Sequence, residues 1–155
     1  MLLEQEIASI MSFALQHAGN PSPYYYDVPE NFQYPAMYFP QPEIETGGET
    51  FRTYNMRYVW YINVFCATSE DAFELAWKVL TALKQKRNLV PLLNEDGSVS
   101  EESLRLNDPS VNVTENGVAQ LTLSWTSRRP YDSEEVQKMV VWEADSYIKT
   151  ENAPE

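Results

Sequence analysis

The stretch "TYNMRYVWYINVFCAT", inside the segment Thr50 to Thr68, alternates over its whole length. Tyr54, Met56, Tyr58, Trp60, Ile62, Val64 and Cys66 fall on one face of an extended chain. Thr53, Asn55, Arg57 and Asn63 fall on the other, with Val59, Tyr61 and Phe65 among them. The first face belongs in a core. The second is polar but aromatic, which suits partial cover by a neighbour. A strand of this length is expected to bend or carry a bulge.

The elements around it are legible in the same way. From Leu2 to Ala18, the residues Leu3, Ile7, Ile10, Met11 and Ala14 recur at helical spacing. Glu4 and Glu6 lie near the positive end of that helix, and Gly19-Asn20-Pro21 stops it. "TSEDAFELAWKVLTALKQKR" reads as a second helix, capped by Thr68 with Asp71 three residues on. Phe73, Ala76, Trp77, Leu80 and Leu83 form its expected buried stripe. Lys84, Lys86 and Arg87 oppose the negative end of its dipole.

Tyr24 to Val28 and Pro35 to Phe39 are short extended runs hemmed by Pro29, Pro40 and Pro42, hence edge or terminal pieces. Gly47-Gly48 predicts a turn, and an acidic loop surrounds a second turn at Asp96-Gly97. Val111 and Val113, then Asn116-Gly117, then Leu121, Leu123 and Trp125 predict a hairpin. From Asp132 a capped, helix-like segment carries seven acids against two bases. The expected fold is α+β: a mostly antiparallel sheet packed by an N-terminal helix and a central helix, with a C-terminal helix-like segment. Residues 1–131 are expected to form one domain and residues 132–155 an acidic helix and tail.

Composition narrows the function. A formal charge of −12 opposes a chain that grips nucleic acid or an anionic membrane. Cys66 is the sole cysteine, so no disulfide forms within the chain, and a buried inert thiol is the plain reading. "MLLEQEIASIMSF" does not look like a secretion signal, and no apolar run approaches the about 18–20 residues that span a bilayer. Synthesis in the cytoplasm is expected.

Catalytic and metal chemistry find no support. His17 is the sole histidine, at a helix end, where solvation explains it. No Walker A loop, GxGxxG or HExxH occurs. "NEDGSVSEE" is faintly like a calcium loop, but its glycine would make Leu92 the first ligand. Asn112-Val113-Thr114 fits a glycosylation sequon by chance. Nothing nominates a catalytic acid pair, so no enzyme, cofactor or metal is expected.

The remaining feature is the run from Tyr24 to Thr50, which holds seven aromatic rings and no lysine or arginine. Its first part, "YYYDVPENFQYPAMYFP", resembles a pattern in phage tail terminator (tail-completion) proteins. There a tyrosine-bearing extended run reaches Val-Pro-acid and, after a polar spacer, a proline opens the next strand. The matching positions are Tyr26, Asp27, Val28, Pro29, Glu30 and Pro35. The long aromatic strand, the capped helix and the late hairpin follow in the same order, over roughly Leu2 to Pro130. Met37, Tyr38 and Phe39 depart from that pattern, where the family tends to be aliphatic.

The resemblance implies a structural virion protein in the neck, forming a ring, commonly a hexamer, on the head-proximal end of the tail tube. Such a ring stops tube polymerisation and docks the head connector or stopper. Its partners would be further copies of the chain, the tail tube protein and the connector. DNA would pass through the lumen without specific binding, and no membrane is involved. Tyr24, Tyr26, Tyr38 and Phe39 are the candidate aromatic contacts. Glu43, Glu45 and Glu49 of an expected acidic loop, with Glu95 and Asp96 of the later one, are candidate acids facing the tube or the lumen, with Arg57, Arg128 and Arg129 as further interface candidates. Two other readings stand beside this one: a different head–tail joining protein, such as a stopper or minor tail component, and a small acidic adaptor.

Overall fold

The computed structural model describes residues 3–132, and these form an α+β fold. The elements are α1 (Leu3–His17), β1 (Ser22–Tyr25), β2 (Ala36–Phe39), β3 (Glu43–Gly48) and β4 (Thr53–Phe65). They continue through α2 (Ser69–Gln85), β5 (Leu89–Leu93), β6 (Val99–Arg105), β7 (Ser110–Glu115) and β8 (Val118–Pro130). The larger sheet has the order β1-β2-β4-β8-β7, with β3 also paired to β4; β5 and β6 form a separate hairpin. Pairing is antiparallel for β2–β4, β5–β6 and β7–β8, and parallel for β1–β2. The segment expected from residue 133 onward lies outside the described residues.

The chain divides into two compact units, one of residues 3–44 with 58–125 and one of residues 45–57 with 126–132. β4 and β8 contribute residues to both.

In the larger unit the core follows the alternation of β4. Tyr58, Trp60, Ile62, Val64 and Cys66 are buried, as are Ala119, Leu121, Leu123 and Trp125 of β8. Tyr58 stacks on Trp125 at 5.0 Å between ring centroids, and Trp60 meets Trp125 edge-on at 6.1 Å. α1 closes this face with Ile10, Phe13 and Ala14. It also brings Glu6 inside: the fully buried carboxylate accepts a hydrogen bond from the Trp125 indole N–H at 3.1 Å. Burial of a polar carboxyl group is costly unless it is hydrogen-bonded, so this contact favours one seating of α1.

α1 is pinned to β5 as well. The hydroxyl of Ser9 accepts from the Leu93 amide at 2.9 Å, and the Gln5 side-chain amide donates to the Leu93 carbonyl at 2.9 Å. Two polar residues on the inner side of α1 thus satisfy both backbone groups of a residue at the end of β5.

α2 begins as its sequence predicts, with the Thr68 hydroxyl accepting from the Asp71 amide at 3.2 Å. Its buried stripe matches expectation at Ala76 and Leu83 and differs at Phe73 and Trp77. Ala72, Ala76, Val79 and Leu83 face inward, while Phe73 and Trp77 are 44% and 50% exposed. Both sets of positions have helical spacing, and the small set lets the helix approach the sheet closely.

Three further expectations are corrected. Gly47-Gly48 is not a turn but the end of β3, and the chain reverses at Thr50–Thr53 instead. The acidic segment starting at Glu43 is therefore a strand, not a loop. β2 is not an edge piece, because it has β1 on one side and β4 on the other; Pro35 and Pro40 flank it without interrupting it. The extended run at β1 is the edge.

The β7–β8 turn is locked to the β4–α2 junction. Gly117 has φ +81°, its carbonyl accepts from the Cys66 amide at 2.9 Å, and its amide donates to the Ser69 hydroxyl at 2.8 Å. A Cβ at this position would stand 2.7 Å from the Cys66 carbonyl oxygen. Gly117→Ala combines a left-handed backbone with a backbone clash, and urea unfolding is expected to show a loss of about 1–3 kcal/mol. An unchanged midpoint would mean that the latch carries no stability.

Candidate functional site

The sequence-predicted interface residues fall into three separate groups. The first surrounds β1, β2 and the connection between them. Tyr25 stacks on Phe39 at 5.9 Å, and Phe39 packs on Trp60 at 5.6 Å. Phe39 is thus buried core, which corrects its assignment as a contact residue. Tyr24 is half-buried, its ring edge-on to Phe32 at 6.4 Å and its hydroxyl accepting from the Gln33 amide. Tyr38, also half-buried, donates its hydroxyl to the Tyr26 carbonyl at 3.1 Å. Phe32 in turn covers Phe65 of β4 at 5.2 Å and meets Tyr34 at 5.0 Å. Tyr26 and Tyr34 remain 63% and 57% exposed. The segment divides residue by residue: Met37 and Phe39 are inside, Tyr25, Tyr26 and Tyr34 outside.

The second group makes the smaller unit. Here the Thr50–Thr53 reversal is closed by the Thr50 hydroxyl, which accepts from the Arg52 and Thr53 amides at 3.2 and 2.9 Å. The Thr50 amide donates to the Thr53 carbonyl, and the Tyr131 amide donates to the Arg52 carbonyl at 2.9 Å. Arg128 forks onto Glu49, donating from Nε at 2.8 Å and also from an Nη atom. Arg57 lies 3.6 Å from Glu45. Tyr54 and Tyr131 pack at 5.3 Å, and Arg129 is half-buried. Glu43, exposed at the start of β3, belongs by residue range to the larger unit.

Arginines therefore face two of the five acids expected to face the tube or the lumen, Glu45 and Glu49. The bidentate hydrogen bond from Arg128, followed by its charge, holds the Glu49 carboxyl below the ordinary carboxylate value. A lowered folded pKa means that this pairing supports the fold above the unfolded pKa and is lost as pH falls through the folded one.

The third group, Glu95 and Asp96, occupies the β5–β6 turn. Asp96 accepts from the Ser98 amide at 2.9 Å and from its hydroxyl at 2.6 Å, and these bonds lower its pKa. Its carboxylate serves the turn. Beside it, a groove of about 610 Å³ is lined by Glu4, Gln5, Ala8, Leu93, Asn94, Glu95 and Gly97.

Two surface features were missed in the sequence. Phe51, at the Thr50–Thr53 reversal, is 70% exposed. On α2, Glu70, Phe73, Glu74 and Trp77 line a shallow groove of about 280 Å³. Their i, i+3, i+4, i+7 spacing was available as a signal, but the aromatic pair was assigned to the core.

Among the described residues, no cluster of three or more His, Cys, Asp or Glu side chains could hold a metal ion. Burial, and then the nearby Asp71 charge, push the Cys66 thiol up, so it stays protonated. His17 lies against Phe13 with ring centroids 4.2 Å apart. No described helix is long and apolar enough to cross a membrane.

No protein-family model matches the sequence. Two curated proteins of Bacillus subtilis (strain 168) do. One is the phage-like element PBSX protein XkdJ, 29% identical over 133 residues, covering 86% of this chain and 90% of that one. The chain is similar to a phage-element protein. The uncharacterized protein YqbJ is 27% identical over 147 residues, covering 95% of this chain and 100% of its own. Among solved structures, a chain of the "Virion of native gene transfer agent (GTA) particle" has a TM-score of 0.47 and 11% identity. That alignment covers 80% of this chain and 93% of the other.

The Glu49–Arg128 fork gives a direct pH test. An NMR titration should place the Glu49 carboxyl below the ordinary glutamate value, and Arg128→Gln should move it back up toward that value. A titration midpoint that Arg128→Gln leaves in place would show that the fork does not exist in solution.

Proposed function

We propose that this chain is a non-catalytic structural component of a phage-type particle, and that it acts as a tail terminator. In this reading, copies assemble as a ring, a homo-hexamer, on the head-proximal end of the tail tube. The ring halts tube polymerisation and offers its other side to the head connector or stopper protein. DNA passes through the lumen without specific contacts.

The observation that carries this reading is the similarity to the phage-like element PBSX protein over 86% of the chain. The surface supports it. Tyr25, Tyr26, Tyr34, Phe51, Phe73 and Trp77 all stand well exposed. Aromatic rings of this kind anchor protein interfaces. A β1 edge strand adds unpaired backbone groups that a neighbour can cover. The arginine pairing of Glu45 and Glu49 leaves Glu43, Glu95 and Asp96 as the acids better suited to repel DNA.

Disrupting the gene in its phage or phage-like element and measuring tails by electron microscopy tests the role. A terminator predicts tail tubes of uncontrolled, excessive length. Tails of normal length beside leaking heads would assign the chain to the stopper position instead. Particles of wild-type form and infectivity would remove the protein from the head–tail junction altogether.

A further inference from the structure

Phe51 is an exposed phenyl ring held on a stiff support. The Thr50 hydroxyl accepts from two amides of the reversal and lies 2.6 Å from the Thr53 hydroxyl. The Arg52 carbonyl is held by the Tyr131 amide, and the Glu49–Arg128 fork closes the base of the hairpin. A mobile loop would lose entropy on docking; a hairpin braced in this way loses little. Yet the tip presents Phe51 at 70% exposure and an exposed Arg52 beside it. Nothing in the larger part of the fold explains why a braced turn should display an aromatic ring next to a cation.

α2 offers the complementary surface. Phe73 and Trp77, one turn apart, stand out at 44% and 50% exposure, and with Glu70 and Glu74 they line one shallow groove. Glu74 also lies 3.9 Å from Lys78, an exposed pair of little strength. The groove thus joins an aromatic floor to an acidic rim, and the tip joins an aromatic ring to a basic neighbour. An Arg beside carboxylates and a Phe against Trp and Phe satisfy charge and apolar contact together.

We propose that the Phe51–Arg52 tip of one copy seats in the Phe73–Trp77 groove of the next copy, with Arg52 against Glu70 and Glu74. The inference rests on the ring reading above and names its subunit contact. Because tip and groove are different surfaces, the contact is head-to-tail, the kind that closes into a ring when the rotation is right. It also accounts for two aromatic side chains that α2 keeps out of its own core.

Cross-linking tests it in the full-length chain carrying Cys66→Ala, in the presence of tail tubes. Phe51→Cys and Trp77→Cys variants are mixed and oxidised with copper phenanthroline, and native mass spectrometry records assembly in parallel. The expected result is a disulfide-linked dimer from the mixture and from neither variant alone, with the double variant giving a ladder. Arg52→Glu should reduce the linked species by about tenfold, and adding Glu70→Lys with Glu74→Lys should restore it.

Oligomers that persist without any Phe51–Trp77 cross-link would overturn this contact and leave the ring standing. A disulfide confined to monomers of the double variant would overturn it too, by showing that the tip reaches its own helix. A chain that never self-associates, on tubes or off them, would overturn both the contact and the ring.

Discussion

The hydrogen bond from the Trp125 indole to the buried Glu6 carboxylate fixes the packing of the larger unit. A carboxyl group buried in an aromatic core is costly unless a donor meets it, so the bond favours this seating of α1. Tyr58 and Trp60 pack against the same indole, which places the buried halves of β4 and β8 with respect to the helix. Aromatic pairs of this kind contribute about 0.5–1.5 kcal/mol each beyond their buried area. From that centre, Ser9 and Gln5 carry the constraint on to β5, and the Gly117 latch carries it to the start of α2.

Such a firmly determined core makes the surface informative. α2 buries Ala72 and Ala76 and leaves Phe73 and Trp77 exposed. Likewise, the Thr50–Thr53 reversal is stitched by its own hydroxyls while Phe51 points to solvent. Exposed aromatic rings on rigid supports lower the entropic cost of association, and they are hard to account for in a protein that works alone. In the proposed ring these surfaces are covered.

Much of the fold was legible because period-2 and period-3.6 patterns were strong. The alternation of β4 from Tyr58 to Cys66, the Thr68 cap and the Asn116-Gly117 turn all reach the structure as expected. Where sequence misled, two options satisfied the same local rule. The α2 stripe could be drawn through large aromatics or through small residues, and tertiary packing chose the small ones. Gly47-Gly48 has the composition of a turn, but pairing with β4 keeps it extended. Phe39 looked like part of a contact surface because prolines surround it, whereas Tyr25 and Trp60 enclose it. The Arg128 partner of Glu49 was invisible because it lies 79 residues away in sequence, and the Arg57 partner of Glu45 because Gly47-Gly48 was read as a turn rather than as part of β3.

The central claim is that the exposed aromatic residues are covered when the chain does its work. Hydroxyl-radical footprinting of the isolated chain against purified particles measures this directly. The account predicts that Tyr26, Phe51, Phe73 and Trp77 react readily in the isolated chain and become strongly protected in the particle. Equal reactivity in both, with the protein demonstrably present in the particle, would contradict it.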